Sequence, residues 1–514
     1  MTDSSPAPTY RLARRRQSGS FLGLQVGPLS LLVFGLISLL ALPLLTGSVL
    51  AGVAVAAGCC LVALLPAPGG PAHQVLPLAA RQFARRASGR DRWWAPLPAA
   101  RSTANESRRG GQPAVLLPPV LAGLEIVGVA RSAAAGATDS VAPIGVVRDR
   151  RLGTMSVLIS ARGTEIVLLD PADQHQRLGA WSAVLANLTR DSTVVQLGWS
   201  LCSAPASFTA HRQWLAGRQA EHPAEPQHDQ VAAHYEALLD QISPALADHD
   251  LRLWVTIDTR RLPRHADPAE AAVTTASTLL EQCRSAGLVA GAPDSPVAIA
   301  EAFRIRADPG AVGRPRGARR GLAEHAGLAS PLAGVHAGPL SLLNRWDAVL
   351  VDDVWHRMFW VTQWPGSQLQ PGWLDPLLFE PDGMHTLAIL CEPISSRASR
   401  RRITSDAVQV ESAVAARERY GFRVPTHLAS AQTAVDQREV ELQSGHAEFG
   451  YLALAGVAAH TLEELDEASR RLMDRAAQTG ITELRALHGR HDRAWAASLP
   501  GGRAPSQGLR DAVR

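Results

Sequence analysis

Residues 21–65 read FLGLQVGPLSLLVFGLISLLALPLLTGSVLAGVAVAAGCCLVALL, and this stretch sets the plan of the chain. It holds no Asp, Glu, Lys, Arg or His; Gln25, Pro28 and Pro43 are its main interruptions. About 20 apolar residues cross a bilayer as a helix, and the run is roughly twice that. Thr46-Gly47-Ser48 offers a turn near its middle. The expectation is two short membrane helices, about Pro28–Leu45 and Val49–Leu65, joined as a tight hairpin. A secretory signal core is only about 7–15 residues long and does not continue into a second helix, so a cleaved signal is not the reading.

The flanks orient the hairpin. Arg14, Arg15 and Arg16 precede it, Arg81, Arg85 and Arg86 follow it, and the turn is uncharged. The positive-inside rule then places both termini in the cytoplasm of a multi-pass protein of the cell membrane, with membrane lipid as one partner. Trp93-Trp94 fit either a headgroup belt or the packing of a first soluble domain, and both readings stay open.

The chain has 514 residues and a formal net charge of +4. The residues after the hairpin suffice for two or three soluble domains. All 51 basic residues are arginine. Codon bias explains the missing lysine, but its chemical consequence holds: no P-loop lysine, no kinase strand lysine and no lysine Schiff base can exist here. The five cysteines include no CxxC pair, which argues against a disulfide framework or a zinc ribbon.

The expected organisation is a basic tail (1–20), the transmembrane helical hairpin (21–65), a basic juxtamembrane segment and Pro/Gly linker (66–119), a first cytoplasmic α/β domain (120–306), a Gly/Pro/Arg-rich loop (307–340), a second such domain (341–500) and a tail (501–514). Strand patterns fall at Glu125–Ala130, Ile144–Arg148, Met155–Ser160, Val194–Leu201, Leu251–Asp258, Ala348–Val351, Arg357–Trp364, Thr386–Glu392, Gly450–Ala459 and Ile481–Leu487. The run SVLISARGTEIVLLD predicts a hairpin whose second strand is Thr164–Leu169. Helical patterns fall at 171–188, Asp229–Ala247, Pro268–Ala286, Trp373–Leu378, Ser395–Gln443 with a break near Pro425, and Thr461–Gln478. In the second of these, Val231, Tyr235, Leu238, Leu239 and Ile242 share one face. Thr461 and Glu464 have the capping-box spacing. The fold class is α/β (α+β), a body of ferredoxin-like strand–helix units, and the two soluble units share a strand–helix–strand plan.

Few motifs carry chemistry. His222, Glu225 and His228 are metal-type residues, but two prolines keep them off one helical face, and a solvated loop is the better reading. His488 and His491, followed by Asp492, lack a third ligand cluster and read as a surface turn. Asp352-Asp353 follow an apolar strand where Mg²⁺ could bind beside a phosphate loop; without that loop they read as a hairpin turn. No GxSxG elbow or HExxH occurs. Arg314, Arg316, Arg319 and Arg320, with Arg397, Arg400, Arg401 and Arg402, form basic patches. The first four are candidate interaction-surface residues, and nucleic-acid contact stays open.

Several segments together carry a family resemblance: the hairpin, RWW (92–94), VAPIGVVRDRRLGTMSVLIS (141–160), FWVTQWP (359–365), LAILCEPISSRAS (387–399) and AASLPGG (496–502). In these the chain resembles an actinobacterial family of integral membrane proteins encoded with conjugation-type, type IV secretion-like ATPases. The resemblance implies a PrgI-like membrane hairpin fused to a region similar to the non-catalytic N-terminal half of such an ATPase. It implies a scaffold of a protein complex, not an enzyme, with no cofactor and no catalytic, cofactor-binding or metal residue. Its partners would be a separate secretion or conjugation ATPase and other secretion subunits in an oligomeric complex. A type VII secretion-like membrane component is the alternative, and a membrane-anchored enzyme using Asp352 and Asp353 or the histidines is a third.

Overall fold

The apolar stretch forms two helices, α1 (Val26–Thr46) and α2 (Val49–Leu64), which pack against each other. Gly47 takes φ +70° in the turn, and the Ser48 hydroxyl caps α2 by accepting from Ala51 N at 3.4 Å. Close packing rests on small residues. A Cβ on Gly35 would meet Cys59 Cβ at 3.0 Å, and one on Gly52 would meet Leu39 O at 3.2 Å. Outward sit Phe34, Leu40, Leu44, Leu45 and Leu50, all exposed. By length and composition, Pro28–Leu45 suffices to cross a membrane; α2 has 16 residues and is shorter. The structure, a computed structural model, describes residues 20–21, 24–67, 70–95, 117–130, 143–162, 166–206, 208–221, 226–243, 246–311, 338–365, 369–379, 383–419, 421, 423 and 426–503. Arg14, Arg15, Arg16, Arg314, Arg316, Arg319, Arg320, His222 and Glu225 lie outside these.

Helix α3 (Ala72–Ala87) follows directly, with Ala72 N donating to Leu65 O. Next comes strand β1 (Arg92–Trp94), and from here every paired strand of the body joins one sheet of thirteen. The first half supplies β2 (Leu124–Val129), β3 (Ile144–Asp149), β4 (Thr154–Arg162), helix α4 (Pro171–Arg190), β5 (Val194–Pro205), the helical pair α5 (Thr209–Glu221) and α6 (Pro226–Ile242), β6 (Ala247–Asp258), α7 (Pro268–Ser285), β7 (Val289–Pro293) and α8 (Pro296–Ala307). The second supplies β8 (Ser341–Asn344), β9 (Val349–Val351), β10 (Val354–Gln363), α9 (Asp375–Leu378), β11 (Met384–Pro393), the pair α10 (Ser396–Arg419) and α11 (Thr426–Gln443), β12 (Phe449–Ala459), α12 (Leu462–Gln478), β13 (Glu483–Ala486) and α13 (His491–Ser498).

The strand order is β1-β8-β9-β10-β12-β11-β5-β6-β4-β3-β2, with β7 on β4 and β13 on β10, and every pairing is antiparallel. The halves repeat one plan. In each, a strand, helix, strand, helical pair, strand, helix and strand follow in sequence. They lie in space as fourth, first, third, second: β7-β4-β6-β5 and β13-β10-β12-β11. The two second strands meet at the centre, where Leu197–Ser203 pairs with His385–Cys391, so the halves are related by an approximate twofold axis near Ser200 and Ala388.

Side chains alternate across the sheet as strand geometry requires. In β6, Leu253, Val255 and Ile257 face a core with α4 and α7, while Trp254 faces the opposite core. Phe359 and Val361 of β10 face α12, whereas Met358 and Trp360 face Trp495 and Leu499 around α13. Trp254 packs against its cross-strand partner Gly198; a Cβ there would fall 2.2 Å from the indole. The core shared by both halves also takes in Ile299 and Phe303 of α8.

Two expectations are corrected. Of the strand expected over Thr164–Leu169, Thr164 and Glu165 lie outside the described residues, and Ile166–Leu168 form a single 3₁₀ turn with Leu168 exposed; β3 and β7 take the neighbouring positions on β4. The helix expected over Asp229–Ala247 ends at Ile242, and Ala247 opens β6; on α6 the residues Val231, Tyr235, Leu238 and Ile242 are exposed and Leu239 is buried.

Candidate functional site

A polar site lies where α3 meets the second half. Gln82 of α3 and Asn344 of β8 are bound twice: Gln82 Nε2 donates to Asn344 O at 2.9 Å, and Asn344 Nδ2 donates to Gln82 Oε1 at 3.2 Å. Asn344 is buried and its remaining groups are also engaged. Its backbone N donates to Asp91 O, and its Oδ1 accepts from Asp492 N at 3.3 Å. One turn on from Gln82, Arg85 Nη2 donates to Asp492 Oδ2 at 2.6 Å. The Asp492 side chain is fully buried in the first turn of α13, where the helix dipole favours a carboxylate. The other carboxylate oxygen, Oδ1, has no hydrogen-bond partner among the described residues.

Two histidines line the same site. The HGRHD segment, expected as a surface turn, is an interior wall: His491 and Asp492 are both 0% exposed. Met358 N donates to His491 Nδ1 at 3.1 Å, so the imidazole is neutral with its proton on Nε2. Burial first, then His488, Arg357 and Arg490, hold its pKa well below the usual histidine value. His488 stacks on Trp346, with ring centroids 5.5 Å apart and planes within 10°. Gly489 takes φ +69° while Trp346 closes to 3.1 Å of where its Cβ would be, so a side chain would be both strained and blocked. Burial beside Arg485 and Arg493 pushes Arg490 down to about 10.

A second polar centre ties the halves together. Arg306 of α8, 1% exposed, pairs with Asp250 of β6 and donates to Ser200 O at 3.0 Å. Arg252 donates to Asp250 at 2.9 Å and to Asp294 at 2.6 Å, so two arginines balance two carboxylates in the interior. The end of α8 is then held by the second half: Trp495 Nε1 donates to Arg306 O and His356 Nε2 to Ala307 O, both at 2.8 Å. Burial pushes His356 down to about 4.

The remaining sequence candidates fall elsewhere. Asp352-Asp353 form the two-residue turn between β9 and β10. Asp352 has φ +55°, and its Oδ1 accepts from Leu340 N and Ser341 N at 2.7 and 2.9 Å. Arg81 and Arg86 are exposed on α3; Arg397, Arg400, Arg401 and Arg402 are exposed at the start of α10. Burial raises the thiols of Cys202 and Cys283 to about 11 and of Cys391 to about 12, which suppresses the nucleophilic thiolate. No group of three or more potential metal ligands occurs among the described residues. No protein-family model matches the chain, and no curated protein matches it.

The spacing of Gln82 and Arg85 marks one helical face, but their partners lie 262 and 407 residues away and left no local signal. The aromatic and histidine density at 346 and 488–491 was the available cue.

Proposed function

We propose that the chain is a membrane-anchored, non-catalytic component of a type IV secretion or conjugation-like transport machine, docking a separate ATPase at the cytoplasmic membrane. In this reading α1 and α2 form a hairpin with both termini in the cytoplasm, and each half of the body is a ferredoxin-like unit. The repeated strand order, fourth-first-third-second, supports the second point.

The observation that carries the docking role is the placement of the two helical pairs. Each is inserted between the second and third strands of its half, and because β5 and β11 run antiparallel at the centre, α5–α6 and α10–α11 leave from opposite ends of the sheet. Ion pairs join the helices within each pair: Arg438 of α11 meets Asp406 of α10 at 2.9 Å and Glu448 just before β12 at 2.6 Å, and Arg212 of α5 meets Glu236 of α6 at 3.1 Å. Yet α6 presents Val231, Leu238 and Ile242 at heptad-like spacing to solvent. Such a seam is a helix-docking surface.

The test is co-purification, in mild detergent, of the full chain with the ATPase encoded beside it. Wild type is expected to retain the ATPase, and the triple variant V231S/L238S/I242S to lose it while keeping its thermal midpoint. A wild-type chain that elutes alone would overturn the reading.

A further inference from the structure

Helix α3 has two faces with different tasks. Gln82 and Arg85 turn inward to Asn344 and Asp492. The opposite face carries Leu76, Ala80, Phe83, Ala84 and Ala87, spaced at i, i+4, i+7, i+8 and i+11, all exposed; Phe83 is 75% exposed and Leu76 51%. Exposed Arg81 and Arg86 flank this apolar arc on its two sides. An apolar face with a Phe and flanking cations is the pattern of a helix lying in a membrane interface, its apolar side among the acyl chains and its arginines at the headgroups. Position agrees: α3 touches α2, and its first residue is hydrogen-bonded to Leu65, which follows the last residue of α2.

We infer that α3 is an interfacial helix that lies in an anionic lipid surface on one face and grips the body on the other, so that the body is held against the bilayer and not tethered below it. This rests on the reading that α1 and α2 lie in a membrane. The cationic flanks select anionic headgroups.

The full chain, with C59A/C60A to clear the α2 thiols, is reconstituted in phosphatidylcholine–phosphatidylserine vesicles. A nitroxide is attached at F83C, at L40C in α1, or at Q443C on exposed α11. Cys202, Cys283 and Cys391 are buried, so labelling beyond one thiol reports a misfolded preparation. Expected is a Phe83 label several-fold less accessible to a water-soluble relaxant than the Gln443 label, and shallower than the Leu40 label. With R81Q/R86Q added, this protection falls to the level found in pure phosphatidylcholine. A Phe83 label as wet as Gln443, beside a Leu40 label at bilayer depth, overturns the interfacial helix and leaves the membrane reading standing. A wet Leu40 label overturns both. Protection that ignores R81Q/R86Q overturns the anionic-lipid assignment.

Discussion

His356 shows how one buried side chain sets a pH limit. It is held neutral at the junction of the halves, donating to Ala307 O, with a pKa of about 4 in the fold against an ordinary 6.5. Below pH 6.5 the unfolded chain takes up a proton that the folded chain refuses, so stability is full above that value and declines as the pH falls toward 4. The site alone accounts for about 3 kcal/mol over that window. His491, depressed for the same reason, adds in the same direction. Denaturant midpoints measured at pH 7 and at pH 4.5 should show the loss, and H356Q should flatten the slope while lowering the pH 7 value. Neither histidine could be assigned this role from sequence. Imidazole burial depends on β10 and α13 meeting across the sheet, and the HGRHD segment is as polar as any surface turn.

At the level of single elements, local pattern succeeded where the signal was local. The Thr461–Glu464 capping box forms in both directions at the start of α12, as its spacing predicts. The paired strands β4, β6, β11 and β12 coincide with the apolar runs that predict them. EIVLLD failed because a short apolar run is consistent with several local structures, and the edge it would have filled is taken by β3 and β7. Strand β1 is three residues long, below what alternation can reveal, and its pairing with β8 places Trp93 and Trp94 in the sheet. The seating of α3 makes a prediction of its own. R85M leaves the Asp492 carboxylate buried without its cation, and should destabilise the chain by about 2–3 kcal/mol; water reaches Arg85 and screens part of a larger loss. R85M/D492L should recover much of it in denaturant titrations, since a matched apolar pair removes the stranded charge.

For the whole molecule, the two segments that sequence separates at the Gly-, Pro- and Arg-rich stretch are halves of one sheet. Their union is invisible in sequence because it consists of backbone pairing between β5 and β11 and of caps such as Trp495 on Arg306. Severing the chain within residues 312–337, through an inserted protease site, should therefore leave the halves associated. The nicked protein is expected to co-elute as one species in size-exclusion chromatography and to unfold in one transition. Two separable fragments would show that the shared core is too weak to hold them.

The spatial order of the strands has a mechanical consequence. Helix α3 and β1 attach at the second-half edge, while β2 lies at the far edge, ten strand spacings or about 48 Å away across a flat sheet, less with twist. The half later in the chain thus stands nearer the α1–α2 hairpin. A pull between that hairpin and the far edge of the sheet runs across the strands. It loads the Leu197–Ser203 and His385–Cys391 ladder rung by rung, not all at once. The buried Arg306 cluster and the α8 caps lie beside that ladder, and they are the rivets that keep a directional load from opening the sheet at its midline.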